Sequence, residues 1–129
     1  MQALYTVFLK PCEGGYTARV PDVPGCVTGG ATIEECVEMA RDALCGCLCV
    51  YEDEGVELAP QRPLDALEHD PDEIAALIEI DTLKYRMATE TKAVRKNVSM
   101  PAWLANMADR QGINLSQLLQ RSVREALNI

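Results

Sequence analysis

The 129-residue chain has room for one ordinary domain or two small ones, and with 48% hydrophobic but only 5% aromatic residues its core must come from Val, Leu, Ile, Ala and Met. It contains no apolar run long enough to span a bilayer and no charged-then-apolar leader, so a soluble, cytoplasmic protein is the expectation, with no membrane partner. The formal net charge of -8 is uneven: residues 1–90 hold 6 Lys/Arg against 18 Asp/Glu, a balance of −12, whereas residues 91–129 hold 6 against 2, a balance of +4. Such asymmetry points to two modules with different partners, an acidic one that repels nucleic acid and a basic one that can meet a polyanion.

QALYTVFLK (2–10) is β-branched and aromatic, with Leu4, Thr6 and Phe8 alternating against Tyr5, Val7 and Leu9, which predicts a strand buried on at least one face. Glu13-Gly14-Gly15 supplies a turn, Tyr16 to Val20 a second strand, PDVPG (21–25) a break, and Cys26 to Gly30 a short third strand. Thr32 to Glu35 reads as a capping box opening a helix, with Ile33, Val37, Ala40, Leu44 and Leu48 forming its apolar stripe and Glu52 to Gly55 its end. The acidic, Pro-rich residues 56–73 read as a surface loop, and Ile74 to Ile80 as a last strand. The front module is therefore α+β with the order β-β-β-α-β, and residues 82–91 join it to the rest without clear periodicity. The division is placed at 1–85 and 86–129.

KAVRKNVSMP (92–101) follows as a short, basic, strand-like segment. Pro101 suits the first turn of a helix that carries Trp103, Leu104, Met107 and Ala108 on one face. Gly112 stops it, and Asn114 with Gln117 caps a final helix burying Leu115, Leu118, Leu119, Val123 and Leu127. One strand and two helices cannot close a core alone. The economical solution is a homodimer in which two strands pair antiparallel over four helices, and such a ribbon fits the DNA major groove. Alternation turns Val94, Val98 and Met100 inward and Arg95, Asn97 and Ser99 outward as base-reading candidates. Lys96 falls on the inward parity and reaches for a backbone phosphate, as does Lys92. The helix start around Asn114 and Ser116 offers amides to another.

Several chemistries are set aside. The six cysteines (12, 26, 36, 45, 47 and 49) need an oxidising compartment to form a disulfide framework, and CGCLC lies in a helix where Cys47 points away from Cys45 and Cys49, so free thiols rather than a metal site are expected. QALYTVFLK lacks the carboxylate that a two-metal nuclease holds on its first strand. Lone His69 reads as a solvated loop residue, and no serine has a base nearby. A non-enzyme without cofactors is the expectation.

The segment KNVSMPAWLANMADRQGINLSQLLQRSVREAL resembles a ribbon-helix-helix domain through its N-V-S-M-P strand end and G-x-N-x-S helix start. YTVFLKPCEGGYTARVPDVPGCVTGGATIEECVEMARDAL resembles the N-terminal domain of HicB antitoxins, through GGY, PDVPGC and the TIEEC helix start. Together they cover roughly residues 4–50 and 92–128. The resemblance implies a partial RNase H-like front domain that masks a small basic HicA-like, mRNA-cleaving toxin. It also implies a back domain that binds double-stranded operator DNA as a dimer, with dimers able to associate further through their front domains. The alternative keeps the DNA-binding tail but makes the front domain a ligand or redox sensor, with Tyr5 and Tyr16 lining a pocket or Cys26 and CGCLC responding to oxidants.

Overall fold

A computed structural model of the chain describes residues 1–58 and 60–129 and divides into two compact units, Met1–Lys92 and Ala93–Ile129. The fold is mixed α+β, with one four-stranded antiparallel sheet and four helices.

In the first unit β1 (Gln2–Cys12), β2 (Gly15–Arg19), β3 (Val27–Gly30) and β4 (Ile74–Asp81) stand in the order β3-β2-β1-β4. The long helix α1 (Ile33–Glu54) covers one face, meeting Tyr5, Val7 and Leu9 of β1, Ala18 of β2 and Ile78 and Ile80 of β4 in the core. Its start is fixed by the Thr32 side chain, which accepts from the Glu35 amide at 3.1 Å, while the Glu35 carboxylate reaches back to the Ala31 amide at 3.0 Å. Its end is a left-handed Gly55 (φ 67), with the Val56 amide donating to the Tyr51 carbonyl at 2.9 Å.

The stripe that faces the sheet differs from the expected one. Ile33 is 39% exposed, and the buried positions are Cys36, Ala40, Leu44, Cys45, Leu48 and Cys49. Cysteine acts here as a small hydrophobe, and counting it as apolar moves the stripe onto the i, i+4 row through Cys36.

Residues 82–91 are a second departure, because Thr82–Thr89 form the helix α2. Polar contacts hold it, which hydrophobic periodicity does not register. The Asp81 side chain caps its start by accepting from the Lys84 amide at 3.1 Å. Buried Thr82 donates to Glu52 at 2.6 Å, and Arg86 donates to the Cys49 carbonyl at 3.0 Å and to Asp53 at 2.9 Å. The Thr82 hydroxyl, ahead of the nearby ammonium of Met1, holds the Glu52 carboxyl below its usual range. The expected division at residue 86 falls inside this helix, which belongs wholly to the first unit.

The opposite face of the sheet is partly covered by the segment between α1 and β4, which contains a short 3-10 turn (Leu64–Ala66). Of the expected loop 56–73, residue 59 lies outside the described residues. Phe8 is fully buried beneath this segment, and His69, exposed as expected, also stacks on it with ring centroids 4.9 Å apart. The Arg19 guanidinium lies 4.9 Å from the same ring and makes two hydrogen bonds of 2.9 Å to Glu73. Those bonds hold the Glu73 carboxyl at about 2, well below its ordinary 4.5.

A depressed folded-state pKa stabilises above the ordinary value and loses that contribution as pH falls toward the folded one. Stability should therefore drop between pH 4.5 and about 2. Glu73→Gln is expected to flatten that acid limb and to cost about 1–3 kcal/mol at neutral pH. Thermal melts across the acid range check both, and a variant melting like the parent at every pH would refute the assignment.

The second unit contains α3 (Ala102–Arg110) and α4 (Leu115–Leu127). Pro101 flanks α3 one position earlier than expected, its carbonyl accepting from the Leu104 and Ala105 amides. Gly112 (φ 65) ends that helix, and the Asn114 side chain caps α4 by accepting from Gln117 at 3.1 Å. Residues 93–100 carry neither helix nor paired strand, since a ladder takes two strands and this unit holds only one candidate.

Candidate functional site

The residues singled out for nucleic-acid contact fall mostly in the second unit. Arg95, Lys96 and Asn97 line a hollow against α4 together with Ser116, Gln120 and Arg124, floored by Val94, Leu119 and Val123. No carboxylate lines it, so its charge is wholly positive. Arg124 is not among the residues singled out from the sequence. Its signal was the spacing from Arg121, which puts two cations on one stretch of the polar face.

Lys96 also lines an adjoining, more apolar hollow with Val98, Met100, Leu115, Leu118 and Leu119. Asn114 lines a separate shallow depression with Gln117 and Arg121, and its side-chain oxygen is already occupied by the Gln117 amide. The Leu115 and Ser116 amides have no acceptor among the described residues, which leaves the α4 N-terminus open to an anion. Ser99 is exposed and lines neither main hollow, and Lys92 closes the first unit.

The apolar residues of this unit are largely bare. Val94 is 75% exposed, Val98 60% and Trp103 64%, while Leu118 and Leu119 remain 37% and 38% exposed; Ala108 alone is buried. So many large apolar side chains left exposed in so small a unit mark an interaction site rather than a finished exterior.

In the first unit Tyr5 is buried in the core and Tyr16 packs against it, so neither lines a ligand pocket. Burial, ahead of the neighbouring Cys47, pushes the Cys26 thiol up to about 12. Burial also raises Cys36, Cys45 and Cys49, whereas Cys12 is exposed. Among the described residues no group of three His, Cys, Asp or Glu is placed to hold a metal ion, and no helix is long and apolar enough to cross a membrane.

An acidic sheet-and-helix unit followed by a basic helical unit with a bare apolar face defines a two-module α+β protein built to meet partners. The chain belongs to the HicB-like antitoxin family of bacterial toxin–antitoxin systems, whose model matches residues 5–123. It is 35% identical over 66 residues to antitoxin HicB of Escherichia coli K12, a match spanning 50% of this chain and 48% of that protein. The crystal structure of antitoxin HicB3 is similar at 28% identity, covering 96% of this chain and 97% of that one with a TM-score of 0.54. The HicA3 and HicB3 toxin–antitoxin complex contains a chain 25% identical that matches 61% of this chain and 99% of its own length, with a TM-score of 0.52.

Proposed function

We propose that the protein is the antitoxin of a HicAB-type, type II system, a non-catalytic protein of the cytoplasm that needs no cofactor. The first unit, read as a partial RNase H-like domain, binds a small basic HicA-like toxin directly and blocks its mRNA cleavage. The second unit dimerises through residues 92–100 as a ribbon-helix-helix domain and represses its own operon. The observation that carries this reading is the segregation of charge and apolar surface. The folded first unit is acidic and suits a cationic partner, while the second is basic and leaves its apolar side chains bare for a second copy. Two measurements test it: rescue of growth when the protein is co-expressed with its HicA-type toxin, and retardation of its own promoter DNA. Failure of both overturns it.

On this reading Arg95 reads a base from the outer face of the ribbon. Arg95→Ala should cost about 1–3 kcal/mol of specific operator affinity, and Lys96→Gln should lower the salt slope by about one with sequence preference kept. Titrations at several salt concentrations check both, and unchanged affinity in Arg95→Ala removes that residue from base readout.

The free thiols Cys26 and Cys47 leave one second reading, a stand-alone regulator whose operator affinity follows the redox state. Affinity that changes with reductant, in a protein that captures no toxin, supports that alternative.

A further inference from the structure

The sheet ends on one side in β4, and the direction of its backbone groups is fixed by two hydrogen bonds. The Thr82 amide donates inward to the Met1 carbonyl at 3.0 Å, continuing the β1–β4 ladder. From the other side Arg41 of α1 donates to the Glu79 carbonyl at 3.3 Å. Because both backbone groups of a residue in an antiparallel strand point the same way, Ala75, Leu77 and Glu79 turn theirs away from the sheet. Apart from that Arg41 bond, no hydrogen bond from a described residue reaches them.

This edge lacks the usual protection. Residues Ile74–Asp81 contain no proline, no lysine and no bulge against β1. Leu77 is 70% exposed on the face away from α1, and Leu4, two rungs along β1 on the same face, is 53% exposed. The other edge, β3, is only four residues long and ends in two glycines. Around β4 carboxylates outnumber cations, with Glu38, Asp42, Glu79 and Asp81 beside Arg41 and Lys84; Arg41 is held by Glu38, and the Glu79 and Asp42 carboxylates make no ion pair or hydrogen bond among the described residues.

We propose that β4 is the docking edge for the toxin, with a strand of that cationic protein adding alongside Ala75–Glu79 to give a fifth strand, Leu77 packing on its apolar side chains and Glu79 and Asp42 meeting its basic ones. This rests on the antitoxin reading given above. A second copy of the chain fits worse, because self-pairing would set this carboxylate-rich edge, with the unpaired Glu79 and Asp42, against an identical one.

The test uses the full chain and its purified, catalytically silenced HicA-type toxin, with amide exchange as the main readout. Binding should slow exchange at Ala75, Leu77 and Glu79 by tenfold or more. Leu77→Pro deletes only an outward amide and so spares the β1 ladder, and Leu77→Lys adds a charge to the edge without a backbone constraint. Each should weaken toxin binding at least a hundredfold in a chain that melts cooperatively. Toxin bound by the parent with these amides unchanged, or bound equally by both variants, overturns the edge assignment and leaves the antitoxin reading intact. A parent that binds no toxin overturns both. Amides already protected in the free chain, in a concentration-dependent way, assign the edge to a second copy and overturn the proposal.

Discussion

Leu119→Asp is expected to abolish operator binding while leaving toxin capture untouched. Leu119 lines both hollows beside residues 94–100, and it is 38% exposed in the single chain. In the proposed dimer it lies under the paired strands, where an aspartate would be buried without a cationic partner. Such a group costs several kcal/mol, comparable with the whole association energy of a small dimer. Sedimentation should show loss of the dimer formed through this unit, and mobility shifts should show no specific complex. The first unit, with its own core, should still melt cooperatively. A variant that keeps both the dimer and the operator complex would show that this apolar face is not the interface.

The second large effect lies in the first unit, at Gly30. A Cβ there would sit 2.6 Å from the Cys36 nitrogen and 2.9 Å from the Glu35 carbonyl carbon. Both are backbone atoms of the first turn of α1, so neither can swing aside. Gly30→Ala must lift the helix off the end of β3, opening the core around Cys36, and should cost about 3 kcal/mol or more. Gly46, within the same helix, is the internal control. Its added Cβ meets only the Tyr85 hydroxyl, at 3.5 Å, so Gly46→Ala should be stabilising by about 0.5–1 kcal/mol. Chemical denaturation of the two variants side by side decides the matter. Equal stability would mean that the helix start is not pressed on β3.

The sequence was most legible where a local chemical signal coincided with periodicity. The Thr32 and Asn114 caps, the Gly55 and Gly112 stops and the strand Ile74–Asp81 all announce themselves that way. Helix α2 did not, because Thr82 and Arg86 hold it through partners thirty or more positions away, beside the local Asp81 cap. His69 is exposed, as its loop setting suggests, but its stacking was not legible, for a related reason. Its stacking partner Phe8 belongs to a strand far off in sequence, and an acidic loop gives no hint that one side chain turns back onto the sheet. In the second unit Arg95 and Asn97 line the hollow against α4 alongside Val94 and Lys96, so the alternation of 94–100 does not separate the two faces in the single chain, and the only mark of Arg124 is its spacing from Arg121. The free edge of β4 was beyond reach for a simpler reason: strand order is a property of pairing, which a single sequence does not display.

The shielding of the thiols has a practical outcome. Four of the six cysteines are buried with raised pKa values, so a maleimide at neutral pH should react first at Cys12, which is exposed at the end of β1. Thr6 is the rung that faces Leu77, and Cys12 lies six residues further along the same strand, about 20 Å away at the rise of an antiparallel strand. A fluorophore attached there would sit close enough to sense an occupied β4 edge by energy transfer yet too far to obstruct it. The wild-type chain thus carries its own labelling handle for following complex assembly in real time.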